Sequence, residues 1–376
     1  MGELTKEIIF KEIDRLKENL ISDLREVIRI PSKRSESTEE YPYGVECARV
    51  LDKALEIAKR EGFSTKNVDY HMAYASIGNS DNYICAMGHL DVVEELSGWD
   101  YPPFEGVIDN NRMYARGALD NKGPIMSAFY GLIALKNLGV EFNTQFRIVF
   151  GSNEETGMND LRYYLTKEKP PVFGFTPDNK FPAIYGERGR ARVSVEGEYS
   201  KVEKFINEKL FIGDAVKNLK IDFQDDDFGR MILRNPQLSK NENTYKVIFS
   251  LSLPRCDIEK VLENIRKNAF SLDVKLVSYD DCMLRDKNSK YVKLLNSIYN
   301  EVMGEDREPT TTTGMTYAHF CPNLIPFGPS FPGQNGIAHL PNEWMDIDDL
   351  INCAKIYAYT FYRLNKEIGE NIWKDL

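Results

Sequence analysis

Tyr83, Ile84, Cys85 and Ala86 form a run with no polar position, and polar residues arrive together just after it, in Met87-Gly88-His89-Leu90-Asp91. A strand apolar on both faces must be covered on both faces, so this run calls for a sheet with helices on either side. His89 and Asp91 stand two residues apart, and in an extended chain such residues share a face. Asp91 can then engage one ring nitrogen of His89 and leave the other for a metal, a ligand with its orienting carboxylate.

The flanking segments carry the periodicity that such a sheet needs. Ile8, Ile9, Ile13, Leu16, Leu20, Leu24 and Ile28 predict an amphipathic helix over 4–30, stopped by Pro31. A second helix is predicted over 43–61, ending before Gly62, and a third over 122–138, with Pro124 in its first turn and Gly139 past its end. Strands are predicted at 112–114 and 146–150, and another helix begins at 161–166. Strands alternating with helices indicate an α/β domain with a mostly parallel sheet. After Gly189 the texture changes. Residues 190–195, 231–233, 245–253 and 272–278 read as strands, and 202–210 and 257–268 as helices, which suits a smaller α+β domain with an antiparallel sheet covered on one face. Helical periodicity returns at Lys290 and, after a 310–314 loop and a Pro/Gly-rich stretch to Gly336, a helix over 346–364 closes the chain. The expected division is a catalytic domain made of 1–188 and 285–376 around an inserted domain, 189–284.

Composition narrows the function classes. The chain has 376 residues and a formal net charge of -10, and its Lys and Arg residues form no patch, so a nucleic-acid partner is not expected. No apolar run reaches membrane-spanning length, and Met1 to Phe10 lacks a signal-peptide core, so the expectation is a cytoplasmic protein with no membrane partner. Cys47, Cys85, Cys256, Cys282, Cys321 and Cys353 form no C-x-x-C pair and read as thiols rather than disulfides or zinc ligands.

Four further stretches hold candidate chemistry. Asp120 stands just before a helix, where an Asp is most simply an N-cap. Glu154 and Glu155 follow a buried strand, at the end where α/β ligand sites form, although a Glu pair in a loop is commonly just solvated. Asp178 ends Phe175-Thr176-Pro177-Asp178 and could merely start a turn, and His339 lies in Gly336-Ile337-Ala338-His339-Leu340-Pro341-Asn342-Glu343. Together, two His and several carboxylates could supply a two-zinc site with one carboxylate shared.

The order of these stretches carries a resemblance. Gly88-His89-Leu90-Asp91-Val92-Val93, Gly98-Trp99, Pro103-Phe104, Arg116-Gly117-Ala118-x-Asp120-x-Lys122-Gly123-Pro124, Asn153-Glu154-Glu155-Thr156-Gly157 and Phe175-Thr176-Pro177-Asp178 resemble the zinc metallopeptidase family M-20. Phe181-Pro182 and Gly186-Glu187-Arg188-Gly189 are most similar to its PepV-type dipeptidase branch. The resemblance implies a phosphorylase/hydrolase-like catalytic domain and a ferredoxin-like lid domain. It implies two divalent ions, Zn2+ first and Co2+ or Mn2+ as alternatives. Asp120 would bridge them, with His89 and Asp178 on one ion and Glu155 and His339 on the other. Glu154 would be the general base and Asp91 the support of His89, in a dipeptidase that uses metal-activated water to cleave an amide. The protein would be a monomer, or a homodimer through the lid.

Two departures leave the substrate open. Family members carry a lid His that stabilises the oxyanion, whereas this region reads Glu196-Gly197-Glu198-Tyr199-Ser200-Lys201. The only other histidines are His71 and His319, and removal of an oxyanion donor commonly costs about 100- to 1000-fold in rate. In Gly314-Met315-Thr316-Tyr317-Ala318-His319, His319 occupies the place of an Arg that binds the substrate carboxylate, and a histidine cannot form the bidentate fork. His319 could bind another substrate group, serve as an oxyanion donor, or reflect drift. The competing expectations are therefore an N-acyl amino acid hydrolase and a metal-binding member with weak or lost catalysis.

Overall fold

The computed structural model describes residues 4–241, 243–334 and 337–367. Gly336, which opens the expected His339 segment, and both ends of the chain, 1–3 and 368–376, lie outside the described residues.

The chain begins with α1 (Lys6–Ile28), whose buried positions Ile9, Ile13, Leu16, Leu20 and Leu24 recur every three or four residues and define one face. The helix α2 (Val45–Arg60) follows, and then β1 (Ser64–Val68) and β2 (Met72–Ile77), a hairpin that the sequence pattern did not mark. Its first strand is Ser-Thr-Lys-Asn-Val, mostly polar because it lies at the sheet edge. Its turn is made by Asp69 and Tyr70 at positive φ rather than by glycine. The expected buried strand is β3 (Tyr83–His89), with no exposed position along its length.

After β3 the chain reaches α3 (Lys122–Asn137), buried from Lys122 to Leu135 on every side, as a helix in the middle of a core must be. Buried Lys122 donates from Nζ to the carbonyls of Val27 (3.0 Å) and Ile30 (2.7 Å), so its ammonium satisfies acceptors at the end of α1. Next come β4 (Gln145–Gly151), α4 (Asn159–Lys167) and β5 (Phe173–Thr176).

A second compact unit then intervenes, built from Tyr185–Asp286 and Thr310–Met315. The sequence division placed the last of these pieces with the returning catalytic segment; in the structure the Arg188 amide donates to the Thr312 carbonyl within this unit. Its main sheet contains β6 (Gly189–Gly197), β7 (Ile232–Asn241), β8 (Thr244–Leu253) and β9 (Asp273–Asp280), antiparallel in the order β7-β8-β6-β9. The helix expected over 202–210 runs as α5 (Tyr199–Phe205) and then as wider π turns over Ile206–Phe211. Wider turns bring Phe205 and Leu210, five residues apart, into one core. The edge strand β7 extends well past the expected 231–233. It passes Asn235 and Pro236 by a register shift between Arg234 and Gln237, as proline in a strand requires. Between β8 and β9 lies α6 (Ile258–Asn268), N-capped by Asp257.

The first unit resumes with α7 (Lys290–Met303), β10 (Leu324–Pro326) and α8 (Ile347–Glu367). Its six-stranded sheet runs β1-β2-β4-β3-β5-β10. The first two pairings are antiparallel, and the remaining three are parallel. Helix α3 packs against α1 and α8, and Gly131 permits the approach to α8: a Cβ there would lie 2.9 Å from the Ala358 nitrogen. The parallel register sets His89 beside Gly151, so the loops leaving β3, β4 and β5 emerge at one edge, where ligand sites of α/β sheets form.

Candidate metal centre

Each polar group at this edge is set by the element before or after it. His89 is the last residue of β3 and is fully buried. Glu154 and Glu155 follow β4, Asp178 follows β5, Asp120 precedes α3, and His339 sits in the loop before α8 with φ 65°. All of them belong to the first unit.

The His89 Nδ1–H donates to the backbone carbonyl of Asp91 at 3.0 Å, with the Asp91 carboxylate farther off at 3.4 Å. Support for the ring therefore comes at shortest reach from the Asp91 main chain, with its carboxylate also on the same ring nitrogen. The Nε2 atom faces Asp120 Oδ1 at 3.1 Å and Asp178 Oδ2 at 3.7 Å. His339 Nε2 faces the other Asp120 oxygen, Oδ2, at 3.0 Å and Glu155 Oε1 at 2.9 Å. One carboxylate thus stands between two histidines, one oxygen to each. Donor atoms of His89, Asp120 and Glu155 fall within 4.8 Å of one another, and so do those of His89, Glu154 and Asp178.

Charge at the site is out of balance. Burial holds the Glu154 carboxyl well above the carboxylate range, and the Asp178 charge adds to it. Burial likewise pushes Glu155 and Asp178 up to about 7 each. Asp120 goes the other way: burial opposes ionisation, but hydrogen bonds with His339 and His89 keep it below the usual range. His339 rises to about 10 on its bonds to Asp120 and Glu155. For His89 burial favours the neutral ring, yet Asp178 and Asp120 carry it well above its ordinary value. So many buried acids around two imidazoles form a donor set short of positive charge, which suits divalent cations with nitrogen and oxygen ligands.

Several supporting residues escaped the sequence reading. Asn121, fully buried, accepts from the His89 amide at 3.3 Å and donates to the Pro177 carbonyl at 2.5 Å, joining three donor-bearing segments. Glu343 accepts from the amides of Leu119 (3.0 Å) and Asp120 (3.1 Å) and pairs with buried Arg116 at 2.6 Å. Asn121 and Glu343 stood inside the motifs, but nothing in the pattern separated them from their neighbours. His319 lies on a one-turn 3-10 helix, Tyr317–His319, its ring centroid 5.0 Å from that of Phe320. His71 stacks on Tyr163 with centroids 3.7 Å apart. The stretch lacking the expected lid His falls at the end of β6 and the start of α5.

Comparison with known proteins agrees with this reading of the fold. The chain is 25% identical to the Beta-Ala-Xaa dipeptidase of Lactobacillus delbrueckii subsp. lactis, over 95% of this chain and 98% of that protein. That alignment spans 463 positions, more than the 376 residues here, so the relative carries segments this chain lacks. Human carnosine dipeptidase 1 superposes with a TM-score of 0.76 at 16% identity, covering 97% of this chain and 99% of the other. The dipeptidase Dug1p from Saccharomyces cerevisiae gives 0.74 at 18% identity, with the same coverage. The family profile of Peptidase family M20/M25/M40 matches residues 85–363, a span from within β3 to within α8 that takes in every donor described above. On that match the chain belongs to peptidase family M20/M25/M40, a hydrolase of the metallopeptidase type.

Proposed function

We propose that the protein hydrolyses dipeptides at a centre for two divalent ions, zinc foremost, held by His89, Asp120, Glu155, Asp178 and His339. The observation that carries this reading is the split of Asp120, with Oδ1 toward His89 and Oδ2 toward His339. Ions bound there would polarise the substrate carbonyl and make water a nucleophile near neutral pH. Glu154 takes the proton of the attacking water as its oxygen bonds to the carbonyl carbon. It then passes that proton to the nitrogen as the C–N bond breaks, leaving an amine and a carboxylic acid, whose remaining proton goes to the amine to give ammonium and carboxylate. Asp91 accepts from the amides of Glu154 and Glu155, both at 3.1 Å, and so aims base and ligand together. We read the second unit as the inserted lid of the family, the chain as cytoplasmic, and the state in solution as a monomer or a lid-mediated homodimer.

Glu154 also lies within ligand reach of His89 and Asp178, so its role as base has to be tested against a role in binding. Glu154→Ala is expected to abolish turnover while metal content by elemental analysis stays near two ions per chain. Loss of an ion would make Glu154 a ligand, and retained turnover would remove it from the reaction. A second reading is hydrolysis of an N-acyl amino acid or another small amide, which the same donors and the same base would serve. Zinc-loaded protein assayed on dipeptides and on N-acetyl amino acids, with chelated controls, separates the two. No hydrolysis on either panel would point to a metal-binding member without efficient catalysis.

A further inference from the structure

Four successive amides, from Ser152 to Glu155, are held by two buried carboxylates. Asp160 Oδ2 accepts from the amides of Ser152 and Asn153, both at 2.9 Å, and Asp91 accepts from the next two. A loop leaving a strand loses its ladder partners, and buried amides need acceptors. Charged acceptors make such bonds short and strong. A third donor reaches Asp160 Oδ2 from far along the chain: the Tyr317 hydroxyl, at 2.5 Å. Both side chains are fully buried. The end of β4 is built around this contact, because a Cβ on Gly151 would overlap the Tyr317 hydroxyl oxygen and crowd Asp160 Oδ2. An Asp in the first turn of α4 would ordinarily serve only its own helix. Asp160 does bond the Leu161 amide through Oδ1, but its other oxygen gathers three donors that α4 does not use.

We propose that Asp160 and Tyr317 are positioning residues for Glu154 and Glu155, acting through the backbone of 152–155 and touching neither substrate nor reacting atoms. Asp91 fixes the far half of the loop and the Asp160–Tyr317 pair the near half, so two adjacent glutamates are presented with no freedom to exchange places. The inference rests on the reading of Glu154 as base.

The test compares zinc-loaded wild type, Tyr317→Phe, Asp160→Asn, Glu154→Ala and, as a control, Tyr299→Phe on α7, which removes a hydroxyl that donates to Glu305, just past the helix, at 3.1 Å. The substrate is the dipeptide turned over best by wild type. Tyr317→Phe and Asp160→Asn are expected to lower kcat by about 10- to 100-fold, the scale of a small misplacement of reacting groups, with KM and bound zinc within about twofold of wild type. Tyr299→Phe should lower the melting temperature and leave kcat unchanged. If Tyr317→Phe, folded and zinc-loaded, keeps kcat within about twofold, the proposal is overturned, whether or not Asp160→Asn folds. It is overturned equally if excess zinc restores kcat in full, because the pair would then serve metal retention only, or if Tyr299→Phe loses as much kcat. Retained turnover in Glu154→Ala is a different failure, that of the base assignment.

Discussion

His71 shows how a single side chain outside the metal centre can tie stability to pH. Its ring stacks on Tyr163, its Nδ1 meets the Tyr43 hydroxyl at 2.7 Å, and its carbonyl accepts from the Ser152 hydroxyl at 2.7 Å. Burial lowers its pKa from the ordinary 6.5, with Asp69 opposing and Lys167 assisting. A folded-state value below the unfolded one means that the unfolded chain binds more protons, so this contribution is complete above the ordinary value and is lost as pH falls through the folded one. Melting temperature measured from about pH 7 down to about pH 5 should therefore fall more steeply for wild type than for His71→Gln. Equal slopes would show that the imidazole is not the group responsible. Residues of this kind are poorly legible in a sequence. His89 announces itself at the end of an apolar strand, whereas Asp160 looks like any acid in a first helical turn and shows its purpose only when Tyr317 arrives from across the chain.

At the level of elements, the stability of the first unit depends on how closely its helices approach each other. Gly131 lies in the middle of α3, where glycine weakens a helix, and it is kept there because Ala358 and Tyr357 backbone atoms stand within 3.3 Å of the position a Cβ would take. Backbone on both helices cannot step aside as a side-chain tip can. Gly131→Ala is expected to cost about 1–3 kcal/mol in chemical denaturation despite its better helix propensity, with kcat of the folded protein unchanged. A neutral or stabilising result would mean that α8 can shift. The elements that the sequence foretold, such as α1, β3, α3 and β4, are those with strong periodicity or unbroken apolar runs. The β1–β2 hairpin was hidden because an edge strand need not alternate. The length of β7 was hidden because Pro236 reads as a stop, unless a register shift absorbs it.

For the molecule as a whole, the first unit carries every proposed metal donor, drawn from the end of β3, from the loops after β4 and β5, which the parallel register brings to the same edge, and from the segments before α3 and α8. That convergence is why the order of short motifs along the chain was informative when each motif by itself was not. The second unit was legible in outline, from its alternating strands, but its claim on Thr310–Met315 was not, since that return depends on pairing across a long loop of chain. The net charge of -10 adds a field that attracts cations in general and does not choose among them, so metal identity rests on the donors.

One asymmetry of the centre has a kinetic meaning. His89 has none of its side chain exposed, while His339 has 51%. On the proposed assignment, an ion held by His339 would have a solvent-exposed histidine among its ligands and an ion held by His89 a buried one, so the two would exchange with solvent at different rates. Chelation should then be biphasic: the ion at His339 and Glu155 leaves first, and the ion at His89 and Asp178 follows slowly. Release followed with a colorimetric chelator as a single exponential for both ions would contradict that order. A protein that fills from the inside and empties from the outside keeps a record of the first metal it met, so its metal content would report the history of its synthesis as well as the medium around it.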